Sequence, residues 1–190
     1  MISIVEQVSK EVFIPLTVGG GIRTIDDMRK VLNAGADKVA ICTAAIENPA
    51  LIKEGAQIFG SQCIVLSIDA KRYQTGWHAY THGGRNDSKL DVFEWAKEGE
   101  RLGAGEILLN SIDMDGTRKG YDLVLTKQVS ESLRIPIIAS GGAGNLNQIV
   151  DAIIIGKADA VLLASLLHYC EYKISDIKKY LQKKKVGVRW

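Results

Sequence analysis

The chain has 190 residues, and its 24 Lys and Arg against 22 Asp and Glu leave a formal net charge of +2, too small a basic excess to point to nucleic acid. Hydrophobic residues at 46% and charged residues at 24% read as one globular domain over residues 1–190, long enough to bury a substantial core. No apolar run reaches the roughly 18 residues of a membrane span, the opening MISIVEQVSKEV carries acids in a helical pattern unlike a signal peptide, and Cys42, Cys63 and Cys170 have no metal-like spacing, so a reducing cytoplasm is expected.

In chain order the pattern predicts helix Ile2–Glu11, strand Ile14–Val18, helix Ile25–Ala34, strand Lys38–Ile41, helix Pro49–Phe59 and strand Cys63–Ile68. It continues with helix Asp91–Leu102, strand Ile107–Asn110, helix Asp122–Ser132, strand Pro136–Ala139, helix Leu146–Ile155, strand Ala160–Leu163 and helix Ile174–Lys183. The strands are near-continuously apolar, as expected of parallel strands covered on both sides. Thr24 with Asp27 three residues on reads as a capping box, and Pro49 suits a first helical turn. The irregular stretch Lys71–Leu90 holds a candidate hairpin over Gly76–Gly84, directly after a strand end. The lysines at 178, 179, 183, 184 and 185 form either a solvated helix face or a partner contact.

The sequence nearly repeats itself. IPLTVGGGIRTIDDMRKVLNAGADKVAICTAA, from Ile14, matches IPIIASGGAGNLNQIVDAIIIGKADAVLLASLL, from Ile135. Each copy has a strand, a glycine cluster, a helix and a second strand opening on Ala-Asp shortly after a glycine. Two such units predict a phosphate-gripping α/β barrel built from similar halves. Six strands do not close a (β/α)8 TIM barrel, which typically needs about 250 residues. The expectation is therefore a partial barrel of about six parallel strands, with the first two β/α units, on the order of 60 residues, missing upstream.

Glycine lets backbone N–H groups approach an oxyanion, and the following helix start adds a favourable dipole. Gly19–Gly20–Gly21 and Gly141–Gly142–Ala143–Gly144 are thus candidate phosphate loops, although tight turns use glycine too; Thr43 and Ser165 follow the second strand of each unit and can add hydroxyls. Two grips imply a substrate with a phosphate at each end. Asp69 ends an apolar strand where a barrel places an acid or base; a helix cap, or an ion pair with Lys71 or Arg72, explains the position equally. Asp113 and Asp115 lie in NSIDMDGTRKGYD, a polar loop better suited to ordering substrate than to holding metal. His78, His82 and His168 are scattered, and His168 reads as structural.

The stretches IPLTVGGGIRT, AGADKVAICTAAIENP, FGSQCIVLSIDAKR, RLGAGEILLNSIDMDGTRKGYD and IPIIASGGAG resemble the cyclase subunit family of imidazole glycerol phosphate synthase, of histidine biosynthesis. The resemblance covers essentially the whole chain. It implies a TIM barrel, a lyase without cofactor or metal, that takes a bis-phosphorylated ribulosyl formimino aminoimidazole carboxamide nucleotide. With ammonia from a glutaminase partner in a heterodimer, it yields imidazole glycerol phosphate and aminoimidazole carboxamide ribotide. The resemblance makes Asp69 one of two catalytic aspartates, the other belonging to a first strand with no counterpart here. It assigns Gly21 and Thr43 to one phosphate, and Asp115, Gly116, Gly142, Ala164 and Ser165 to the other. Lys38 and Glu106 match an ammonia-channel gate, and Asp37 a partner-facing acid.

Two positions depart from the family. Cys42 stands where asparagine is common, and Asn110 where threonine is common. Without its first two units, the chain is expected to be inactive alone and to expose two sheet edges. Related readings are the histidine-pathway phosphoribosyl isomerase, an ammonia-channelling paralogue of surface-sugar biosynthesis, and an inactive phosphate-binding fragment.

Overall fold

The computed structural model describes residues 2–189. Six strands pair in parallel: β1 (Thr17–Gly19), β2 (Lys38–Ile41), β3 (Ile64–Tyr73), β6 (Glu106–Ser111), β7 (Ile137–Ser140) and β8 (Ala160–Val161), in that spatial order. Between β3 and β6 the chain inserts β4 (Gly76–Thr81) and β5 (Asn86–Asp91), which extend β3 as an antiparallel hairpin. The longer helices are α1 (Ile2–Glu11), α2 (Ile25–Asn33), α4 (Ala50–Phe59), α5 (Val92–Leu102), α6 (Leu123–Ser132), α7 (Leu146–Ile154) and α9 (Ile174–Lys183). Two one-turn helices escape the sequence pattern, α3 (Thr43–Glu47) and α8 (Ser165–His168), each directly after the second strand of a repeat unit. Among the described residues no helix is long and apolar enough to cross a membrane.

Side chains alternate across each strand. Val39, Ile41, Ile64, Leu66, Ile68, Ile107, Leu109 and Ile137 point outward and are buried under the helices in the main core, and Ala139 points the same way into a smaller cluster with Tyr121, Ala152 and Ala158. The intervening positions point the other way, into a cavity of about 1040 Å³ lined by Ala40, Val65, Ser67, Leu108 and Ile138. Thr17 and Gly19 of β1 and Ala160 and Val161 of β8 line that same cavity, so the sheet curls and brings its two edges around one space. This is a partial TIM barrel. The inward face is more polar than the apolar runs suggested, because Ser67, Asp69, Asn110 and Ser140 share it with the aliphatic residues.

The edges explain where observed strands differ from expected ones. Ile14–Val18 contracts to Thr17–Gly19, and Ala160–Leu163 to Ala160–Val161, since β1 and β8 each have a neighbour on one side only. Pro136 lacks an N–H and serves as acceptor for Ile107 N at 3.0 Å, so the third expected strand shifts to Ile137–Ser140. Phe13 and Ile14, just before β1, are 94% and 72% exposed, an apolar fringe along an open edge.

The repeat is physical as well as textual. Thr24 caps α2 in a capping box with Asp27, and Asn145 caps α7 in the same way with Gln148. Pro49 takes the cap position of α4 rather than its first turn. The aspartate of each Ala-Asp ties the incoming strand of its unit to the outgoing one: Leu16 N donates to Asp37 Oδ2 at 2.8 Å, and Ile137 N donates to Asp159 Oδ2 at 2.9 Å. Both lie at the N-terminal ends of the strands, the stability face of this architecture. Asp159→Ala is expected to cost about 1–2 kcal/mol, and Asp159→Asn less, because the amide oxygen still accepts; urea denaturation of the two variants against wild type checks the order.

The sequence anticipated one hairpin at Gly76–Gly84; the fold makes two, β3–β4 and β4–β5. Trp77 is buried on its underside, meets Phe93 edge-on at 5.8 Å, and donates from Nε1 to Asp122 Oδ2 at 3.1 Å. On the other side of the hairpin, Asp87 accepts from Lys89 Nζ at 2.8 Å and from Lys89 N at 2.8 Å, with His78 Nδ1 at 3.1 Å. Hydrogen bonding to Lys89 above all, and then to His78, holds the Asp87 carboxyl well below the usual carboxylate range. A depressed carboxyl contributes stability above its unfolded pKa of about 3.9, and loses it as pH falls toward the folded value. Tryptophan fluorescence should therefore be flat from neutral pH to about pH 5 and change below about pH 4. Asp87→Asn should remove that acid step.

Candidate functional site

The expected site residues gather at the C-terminal ends of the parallel strands, where barrel enzymes place their chemistry. The glycine cluster after β1, Cys42 and Thr43 after β2, Asp69 of β3, and His82 and Gly83 of the β4–β5 turn line the large cavity together. Gly20 and Gly21 have φ of +89° and +77°, and a Cβ at either would meet nothing within 4 Å. Glycine is required there for backbone conformation, and the space above it is free for a ligand. Thr43 Oγ1 accepts from His82 N at 2.9 Å, so the hydroxyl proton remains available to a ligand oxygen.

The second cleft, about 150 Å³, is lined by Asp115, Gly116, Gly142, Ala164 and Ser165, together with Arg118 and Ser140. All five residues expected at the second phosphate thus meet in one place. Here the glycines serve packing: a Cβ on Gly142, at φ +99°, would lie 2.0 Å from Gly120 O, and Gly120 N donates back to Gly142 O at 2.8 Å. Arg118 was not singled out from the sequence. It sits at φ +60° and its guanidinium pairs with Glu171 at 2.5 Å, a cation at the rim of the cleft that a basic residue in a Gly-rich polar loop could have signalled.

Asp69 lines the large cavity from β3, between the glycine cluster after β1 and the one after β7 in strand order. Its alternative readings fall away: Lys71 lies over the Tyr80 ring at 5.5 Å, Arg72 lies over Trp77 at 4.5 Å, and Asp69 is inside β3 and caps no helix. Instead Asn110 Nδ2 donates to Asp69 Oδ1 at 3.1 Å, and Ser140 Oγ donates to Asn110 Oδ1 at 3.1 Å. The Cys42 thiol lies 4.0 Å from Asp69 Oδ2 and 3.8 Å from Tyr80 O. Burial, and secondarily the Asp69 charge, push the Cys42 thiol up to about 11, so at neutral pH it is a neutral, weak donor rather than a thiolate nucleophile.

At the opposite ends of the strands, Lys38 opens β2 and Glu106 opens β6, and the two form an ion pair, each side chain about a quarter exposed or less. Both belong to the inward series, Lys38–Ala40–Cys42 and Glu106–Leu108–Asn110. Asp37 is exposed beside this end, with one oxygen engaged by Leu16 N. His168 is exposed in α8 and does not join either cleft.

A parallel strand row with glycine-rich loops and a carboxylate at its C-terminal ends is the architecture of a partial TIM barrel. The histidine biosynthesis protein family model matches residues 1–173. The chain is also 50% identical over 209 residues to imidazole glycerol phosphate synthase subunit HisF of Methanocaldococcus jannaschii, a match covering all of this chain and 77% of that protein. The chain belongs to the histidine biosynthesis protein family.

Proposed function

We propose that the chain is the cyclase subunit of imidazole glycerol phosphate synthase. It converts the bis-phosphorylated ribulosyl formimino aminoimidazole carboxamide nucleotide, with ammonia, into imidazole glycerol phosphate and aminoimidazole carboxamide ribotide. The observation that carries this reading is Asp69, held by Asn110 in the large cavity, in a strand row with one glycine cluster after β1 and another after β7. A substrate with a phosphate at each end spans such an arrangement and lays its reacting centre over the carboxylate.

In this reading Gly21 and Thr43 hold one phosphate through backbone N–H and hydroxyl groups. Asp115, Gly116, Gly142, Ala164 and Ser165 hold the other, with Arg118 adding a positive charge. Asp69 moves protons as ammonia nitrogen enters the ring and the nucleotide is cleaved; a fixed carboxylate within reach of the reacting centre is what such transfers need. Ammonia reaches Asp69 along the inward face of the sheet from a glutaminase subunit docked at the N-terminal strand ends. The Lys38–Glu106 pair gates that entry, and Asp37 faces the partner. The reaction needs no metal or cofactor, and its setting is the cytoplasm.

The test is product formation from the nucleotide and an ammonium salt, by the chain alone and by the chain joined to the part of the Methanocaldococcus protein outside the match. Imidazole glycerol phosphate formed by either protein supports the reading. Its absence from both, with the nucleotide bound, overturns it.

A further inference from the structure

Asp69, Asn110 and Ser140 are register partners in adjacent strands: Asp69 faces Asn110 across β3 and β6, and Asn110 faces Ser140 across β6 and β7. All three point inward, so the backbone ladder itself places them in one row. An ionised carboxylate only accepts, which obliges Asn110 to present Nδ2 to Asp69 and leaves its Oδ1 facing Ser140. Ser140 then has to donate. The result is a directional chain, Ser140 hydroxyl to Asn110 amide to Asp69 carboxylate, in which each bond polarises the next.

We propose that Asn110 is the positioning residue of the Asp69 carboxylate in this protein, with Ser140 locking the Asn110 amide in its donating orientation. The inference rests on the reading of Asp69 as the proton-transfer group. Two residues flank this carboxylate, one after β2 and one in β6: the Cys42 sulfur lies 4.0 Å from Asp69 Oδ2, and Asn110 Nδ2 donates to Asp69 Oδ1 at 3.1 Å.

Asn110 lines neither cleft, so its loss should act on kcat rather than on substrate binding. In the ammonium assay, Asn110→Thr is expected to lower kcat about 10- to 100-fold, the weight of a hydrogen bond to a charged group, with KM changed less than about twofold. Ser140→Ala should lower it less, and adding it to Asn110→Thr should cost nothing more, since the two act in series. Cys42→Asn, whose longer side chain spans the 4.0 Å gap, should restore a large part of the loss in Asn110→Thr. A merely structural role for Asn110 offers no route to that rescue.

A second readout does not depend on turnover. By NMR, the Asn110 side-chain amide should show one proton shifted downfield, and the shift should shrink in Asp69→Ala and in Ser140→Ala. Wild-type kcat in Asn110→Thr, or an Asn110 amide unaffected by Asp69→Ala, would overturn the proposal. Normal NMR responses in a protein that forms no product would leave the row in place and count against the cyclase reading instead.

Discussion

In the chain joined to the part of the Methanocaldococcus protein outside the match, Asp69→Asn is expected to abolish product formation, with kcat falling on the order of 10²- to 10⁴-fold, the range that a positioned general acid or base contributes. The substitution is nearly isosteric. Its amide oxygen can still accept from Asn110 Nδ2, which wild-type Asp69 engages at 3.1 Å, and the half-buried position makes no ion pair among the described residues whose loss would disturb the fold. Stability and nucleotide affinity should therefore stay close to wild type while chemistry is lost. The comparison needs three numbers from one preparation: kcat, the dissociation constant of the nucleotide, and the urea midpoint. A variant that retains kcat within about threefold would remove Asp69 from proton transfer, whatever its geometry.

Gly142→Ala is expected to damage fold and site together. The added Cβ would sit 2.0 Å from Gly120 O, at a residue with φ +99°. Backbone is not free to give way here, because Gly120 N and Gly142 O are hydrogen-bonded at 2.8 Å. Strain at positive φ plus displacement of the Asp115–Gly120 loop should cost about 3 kcal/mol. The second cleft, lined by both segments, should lose its phosphate. Gly21→Ala is the informative control. It also has a positive φ, +77°, but a Cβ there meets nothing within 4 Å, so its cost should be roughly 1–2 kcal/mol, the strain alone. If the two variants proved equally stable by denaturant titration, the packing role assigned to the second cluster would be wrong.

The contrast shows how far the sequence could be read. Features set by local backbone demands were legible. The glycines mark turns that need positive φ, Thr24 and Asp27 mark a helix start, and the paired Ala-Asp segments mark equivalent strand entries. The five residues that family resemblance assigns to the second phosphate line one cleft. The Ser140–Asn110–Asp69 row was not legible, because it depends on the register of three strands distant in sequence. An asparagine at a strand end, viewed alone, is an unremarkable polar residue. Arg118 was hidden for a related reason: its nearness to Gly142 and Ser165 comes from the packing of two loops. The short β1 and β8 were overestimated because apolar runs report burial, whereas strand length depends on neighbours, and each of these strands has one. Within Lys71–Leu90 only Gly76–Gly84 alternates and ends in turn residues, so the sequence points to one small hairpin and leaves the flanking charged residues unplaced. In the fold, those residues find aromatic faces and each other: Arg72 over Trp77, Lys71 over Tyr80, and Lys89 against Asp87.

The most direct test of two clefts serving one substrate is a ³¹P NMR titration of the bis-phosphorylated nucleotide with the wild-type chain and with Gly142→Ala. Both phosphorus resonances should move together in wild type, saturating at one nucleotide per chain, and only one should respond in Gly142→Ala. Two nucleotides bound per wild-type chain, or a single phosphorus resonance responding in wild type, would contradict the account.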